Sequence, residues 1–268
     1  MRVQAIISDS DGTLVDTVRL IEHGQYEALK TYLGQQGLTG ESLPSYSDFI
    51  TALHASIGGS ARNTLEKTAK LLFSDRRDIL DVFDFDALHD LLNPAQDALA
   101  PSYVKPYVGL EELLRYIGET NTSFGIFTSG TKHHVVRNLG IALPQLGLQT
   151  LFLDASKTED AKFDILRTQL QRFFHIPKLV IVTCEVVDAH KPDPASLKYA
   201  MQQLSARPAE SLVVGDHAVD MQAGVRAGVA HRIGISHGFH AREGLVQAGA
   251  TQVVRDLREL KRVLQSNA

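Results

Sequence analysis

The chain has 268 residues, of which 44% are hydrophobic, enough for one large core or a core with a smaller satellite domain. A formal charge of -4 without any basic stretch argues against a nucleic-acid partner. It leaves room for a small anionic substrate, because a local metal and lysine can outweigh a weakly negative global field. The single cysteine excludes an intramolecular disulfide and a multi-cysteine zinc site. Cys184 sits in the apolar run Leu179-Val-Ile-Val-Thr-Cys184, and is expected to be a buried structural thiol. The first seven residues are too short for a signal-peptide apolar region, and no run of about 18 apolar residues suggests a membrane span. A soluble, cytoplasmic globular protein with no membrane contact is expected.

Val3 to Ser8 reads as a short buried strand, placing Asp9 at its carboxyl end. Asp9-Ser-Asp-Gly-Thr-Leu14 follows. After Asp16 the pattern turns helical, with Leu20, Ile21, Ala28, Leu29 and Leu33 at spacings near those of one helix face. From Ser45 to Leu99 three further apolar stripes and no strand pattern appear. Residues 17–104 are therefore expected to form a helical insertion, with residues 1–16 and 105–268 forming the core domain.

The strand rhythm then returns. Leu110 to Ile117 is expected to be helical, and Ser123 to Phe127 a strand ending at Thr128-Ser-Gly130. The 60 or so residues to Lys191 exceed the roughly 30 that a helix and a strand require. Residues 142–175 must therefore hold something extra, read as a core elaboration containing a helix over 161–174, with a second small cover over the site as the alternative. Leu179 to Cys184 is a strand, followed by Lys191-Pro-Asp-Pro194 and a helix over 195–204. Ser211 to Val214 is a strand ending at Gly215-Asp216. A short helix over 221–227, strands over 229–233 and 251–254, and a helix over 257–264 close the chain. Strands alternating with helices indicate an α/β fold with a Rossmann-like parallel sheet, whose sites lie at the carboxyl ends of the strands.

All four motifs fall at such ends. Asp9 and Asp11 stand two apart, on one face of an extended chain, before a glycine that permits a sharp turn. One carboxylate can attack phosphorus while the other serves as acid and base. A calcium loop or a plain Asp-Gly turn shares the spacing, but the preceding strand and the missing downstream acidic ligands count against calcium. Thr128, Ser129 and Gly130 offer a hydroxyl and backbone N–H groups as a phosphate cradle. Lys191, before a rigid proline turn, can be held as a point charge near a phosphate. Asp216 and Asp220 supply further oxygens of the kind Mg²⁺ prefers. His133 and His134 are adjacent and make a poor chelate.

Taken together, the motifs resemble those of the haloacid dehalogenase superfamily, in its phosphatase branch with a helical cap inserted after the first motif, as in phosphoglycolate phosphatases and beta-phosphoglucomutases. Ser8 departs from the pattern, since an aromatic residue is common there. The resemblance implies Asp9 as nucleophile and Asp11 as acid/base, with the Asp11 backbone carbonyl on the metal. It implies Mg²⁺ held by Asp9, Asp11, Asp216 and Asp220, and phosphate held by Thr128, Ser129, Gly130 and Lys191. The expected activity is Mg-dependent hydrolysis of a small phosphorylated metabolite through an aspartyl-phosphate. A phosphomutase, or a non-catalytic binding or regulatory protein on the same scaffold, are the alternatives. Substrate choice is expected to lie in the cap, where His54, Ser60, Arg62 and Asn63 flank the Gly58-Gly59 turn.

Overall fold

The structure, a computed structural model, describes residues 3–40, 43–57, 60–81 and 83–266. The chain divides into two compact units, one running to Val18 and resuming at Val104, the other spanning Arg19–Tyr103.

The first unit opens with strands β1 (Ala5–Ser8) and β2 (Val15–Asp16). The second is helical. It comprises α1 (Val18–Gln35, its first residue in the other unit), α2 (Tyr46–Ser56), α3 (Ala61–Leu72), α4 (Arg77–Leu80), α5 (Phe85–Asp90) and α6 (Leu92–Tyr103). Its helices start where the sequence supplies caps. Ser45 accepts the Asp48 N–H at 3.1 Å and Asp84 accepts the N–H groups of Asp86 and Ala87 at 3.0 Å, each filling an otherwise orphaned donor. Tyr32, Phe49, Leu53, Leu65, Phe73 and Leu88 converge in its own core.

The chain then returns as β3 (Lys105–Pro106), α7 (Leu110–Glu119), β4 (Ser123–Phe127), α8 (Lys132–Ala142), α9 (Glu159–Phe173) and β5 (Leu179–Val182). It continues as α10 (Ala195–Leu204), β6 (Ser211–Gly215), α11 (Ala218–Arg226), β7 (His231–Ile235), α12 (Arg242–Gln247), β8 (Gln252–Val254) and α13 (Leu257–Ser266). Six strands form one parallel sheet in the order β5-β4-β1-β6-β7-β8. The strands read as near-continuous apolar runs because helices cover both faces of such a sheet. Ile7, Phe127, Val182, Leu197, Met201 and Val213 are among the buried residues that join one face to α10.

The strand order places the site. From β1 the chain builds outward through β4 and β5, then crosses back to lay β6 on the other side of β1. The reversal beside β1 is a topological switch point, where α/β sheets open a crevice at the strands' carboxyl ends. Ser8 is in register with Ile126 on one side and Val214 on the other, so Asp9, Thr128 and Asp216 emerge along the same edge.

The fold class is as read from the sequence, with corrections of detail. The strand expected over 229–233 is His231–Ile235, two residues later. β5 ends at Val182, so Cys184 lies beyond the strand and is half-buried rather than fully buried. The segment 142–175 belongs to the sheet-bearing unit and holds two single 3₁₀ turns and α9. The antiparallel pair β2–β3 and helix α12 have no counterpart in the sequence reading. Among the described residues, no helix is long and apolar enough to cross a membrane.

Candidate active site

Asp9 follows β1 directly, and its N–H continues the sheet by donating to the Val214 carbonyl at 2.9 Å. Its side chain is buried, and Lys191 Nζ donates to its Oδ1 at 2.5 Å. The same ammonium donates to Asp220 Oδ1 at 2.7 Å and lies 3.9 Å from the centre of the Phe127 ring. Burial alone would lower the Lys191 pKa, but Asp220 and Asp9 outweigh it and hold the amine above its ordinary range. Burial pushes Asp9 well above the usual carboxylate range against the pull of Lys191, with Asp220 and Asp216 adding to the rise.

Asp216 follows β6 and is fully buried. Thr13 Oγ1 donates to its Oδ1 at 2.7 Å and the Phe239 N–H donates to its Oδ2 at 2.8 Å. Burial first, then the charge of Asp220, raises its pKa to about 7. Two glycines make room for it. Gly12 adopts a φ of 82°, a left-handed conformation that L side chains rarely take, and a Cβ there or at Gly238 would overlap the Asp216 carboxylate. Asp220 sits in the first turn of α11, where its Oδ2 accepts the His217 N–H at 3.0 Å while His217 Nδ1 accepts from Val219. This reciprocal cap fixes Asp220 against the ammonium. His217 stands edge-on to His240, with ring centres 4.0 Å apart, and burial pushes its pKa down to about 4.

Oxygens of Asp9, Asp216 and Asp220 lie within 4.8 Å of one another. With all three carboxylates ionised, one ammonium leaves two negative charges, which a divalent cation would balance; without that cation, burial and mutual repulsion favour the protonated forms of Asp9 and Asp216. An all-oxygen donor set suits a hard ion such as Mg²⁺. The residues therefore fit the metal that the motifs imply.

Asp11 stands just before the Gly12 turn and is half-buried. Its Oδ1 accepts from Asn138 Nδ2 at 2.7 Å. Thr128 is buried at the end of β4, and its N–H pairs with the Val182 carbonyl. The expected cradle differs in one respect: the Gly130 N–H already donates to Thr128 Oγ1 at 3.0 Å, so it is not a free donor. Ser129 stays partly open between them. His134 serves locally, in a reciprocal cap with Thr131 at the start of α8.

The residues named for substrate choice have partners within the helical unit. His54 is exposed and pairs with Glu22 at 2.8 Å. Ser60 caps α3 by accepting the Asn63 N–H at 3.2 Å. Arg62 bonds Asp86 and Glu66. The Asn63 side chain is exposed. The Gly58-Gly59 turn lies outside the described residues.

Thr13, Gly238, Phe239 and Asn138 are the site residues that the sequence reading missed. Thr13 lies within the first motif and could have been suspected. The others act through the fold and carry no local signal.

Known proteins resemble this chain over most of its length. The family model described as haloacid dehalogenase-like hydrolase matches residues 3–228. Pyrophosphatase PpaX of Bacillus cereus (strain G9842) is 27% identical over 228 residues, covering 85% of this chain and 81% of that protein. The crystal structure of a hydrolase from Pseudomonas syringae aligns with a TM-score of 0.67 at 25% identity over 99% of both chains. A predicted phosphoglycolate phosphatase from Haemophilus somnus 129pt aligns with a TM-score of 0.72 over 98% of both chains. At 15% identity, that likeness is one of fold.

Proposed function

This chain belongs to the haloacid dehalogenase-like hydrolases, and from that premise we propose that it is a Mg²⁺-dependent phosphatase acting on a small phosphorylated metabolite in the cytoplasm. The observation that carries the reading is the buried set of Asp9, Asp216 and Asp220 around Lys191, with Asp11 two residues beyond the nucleophile position.

Asp9, Asp216 and Asp220, with the Asp11 carbonyl, would hold the cation. When bound, it supplies positive charge to the phosphoryl oxygens. Lys191 adds its own charge beside Asp9 and keeps one Asp9 oxygen oriented. Thr128 and Ser129 receive phosphoryl oxygens. An Asp9 oxygen bonds to phosphorus as the phosphorus–oxygen bond to the leaving group breaks. Asp11 gives its proton to the departing oxygen, which keeps the bonding pair. Asp11, now a carboxylate, then takes a proton from water as the water oxygen bonds to phosphorus. The bond to Asp9 breaks, releasing phosphate and restoring both residues.

The helical unit is the second part of the reading, as the cap that selects the leaving group. The name of the Bacillus relative adds inorganic pyrophosphate to the candidate substrates. Phosphate release with Mg²⁺ from pyrophosphate, phosphoglycolate and hexose phosphates, measured beside hexose-phosphate isomerisation, tests the reading. Phosphate release from one of them, lost in Asp9→Asn with the fold intact by circular dichroism, is the expected result. Isomerisation without phosphate release would make the enzyme a mutase.

A further inference from the structure

Helix α8 carries two buried polar residues inside an apolar stretch. Arg137 is 1% exposed and Asn138 3%, between Val136 and Leu139. Arg137 Nε donates to Asn138 Oδ1 at 3.0 Å, and Asn138 Nδ2 donates to Asp11 Oδ1 at 2.7 Å. A guanidinium can only donate. It therefore fixes which way the Asn138 amide faces, with the oxygen toward Arg137 and the nitrogen toward Asp11. Asp11 Oδ1 is then always an acceptor, and a proton carried by Asp11 sits on Oδ2.

We propose that Asn138, oriented by Arg137, is a positioning residue that holds Asp11 by Oδ1 and leaves Oδ2 to exchange the proton with the leaving group. The proposal rests on the reading of Asp11 as acid and base. In this arrangement a short relay from the core of α8 presets the carboxyl before substrate arrives. In this role Asn138 acts through Asp11. A residue that merely anchored α8 would slow every substrate alike. A residue that presents the acid slows the transfer of phosphate to Asp9, the step that kcat/KM reports, only for substrates whose leaving oxygen needs a proton; the later attack of water is common to all of them.

The test compares kcat/KM for ethyl phosphate, whose alkoxide must be protonated as it leaves, with that for nitrophenyl phosphate, whose phenolate departs unaided. Asn138→Asp keeps the acceptor for Arg137 and removes the donor to Asp11, while Asn138→Leu removes both. Each is expected to lose about ten- to a hundredfold on ethyl phosphate, the scale of one hydrogen bond to a charged group, and less than about threefold on nitrophenyl phosphate. Equal losses on both substrates, including loss of both through misfolding, overturn the proposal, as does unchanged turnover of ethyl phosphate. Asp11→Asn is the control. If it loses both substrates equally, Asp11 is not the acid, and the premise fails together with the inference. If it loses ethyl phosphate selectively while the Asn138 variants do not, the inference alone fails.

Discussion

Replacing Lys191 with methionine removes the one ammonium from a cluster of three buried carboxylates. The Lys191 side chain is 6% exposed and bonds Asp9 at 2.5 Å and Asp220 at 2.7 Å. Methionine keeps an apolar stem near Phe127, so the loss is chiefly that of charge. Removing one partner of a buried ion pair leaves the other uncompensated and costs about 3–5 kcal/mol. Against a typical total stability of about 5–15 kcal/mol, that is a large fraction. Urea denaturation at neutral pH without divalent ions should show this loss in the midpoint with little change in slope. Adding Mg²⁺ should restore more stability to the variant than to the wild type, because the variant has lost the ammonium that offsets the mutual repulsion of its carboxylates. Turnover should fall by about a hundred- to a thousandfold, as for loss of a preorganised charge facing the transition state. A variant within about 1 kcal/mol of the wild type without metal, or one that Mg²⁺ stabilises less than the wild type, would refute the reasoning.

Other perturbations test the supporting parts. Thr13→Val removes the bond to Asp216 Oδ1 and should raise the Mg²⁺ concentration for half-maximal activity by about ten- to a hundredfold, while Thr13→Ser stays near wild type. His237 stacks on Tyr107 with ring centres 3.6 Å apart, and its Nε2 lies 3.1 Å from the Thr13 carbonyl. Burial lowers its pKa from 6.5, so the unfolded chain binds the proton more readily. The stability tied to its neutral form is full above its unfolded value of 6.5 and is lost as the pH falls from there through the lower folded-state value. His237→Phe should keep the stack, cost about 1 kcal/mol and reduce the acid-side slope of stability against pH. An unchanged slope in urea titrations would remove His237 as its source.

The sheet and the acidic centre were legible because their determinants are local. Apolar runs that end in an acidic or hydroxyl residue mark both a parallel strand and its functional end, as at Ser8–Asp9, Phe127–Thr128 and Gly215–Asp216. Residues that orient these groups were not legible, because the bonds that define them span the fold. Thr13 reaches Asp216 across 203 positions and Asn138 reaches Asp11 across 127. Nothing local distinguishes Asn138 from an ordinary helix residue beside Leu139. β2 and β3 have two residues each, too few for any periodicity to register. Thr183 and Cys184 extend the apolar look of β5 past its last sheet partner, which is Val182. The glycine of the first motif was read as a turn, but its second role, clearing space for Asp216, needs the folded chain.

The central claim is that phosphate passes through Asp9. The most direct measurement is rapid quenching during turnover with Mg²⁺, followed by peptide mass spectrometry. A mass gain of one phosphoryl group on Asp9, absent from Asp9→Asn together with phosphate release, is the predicted result. Turnover with no adduct on Asp9, continuing in Asp9→Asn, would contradict the account.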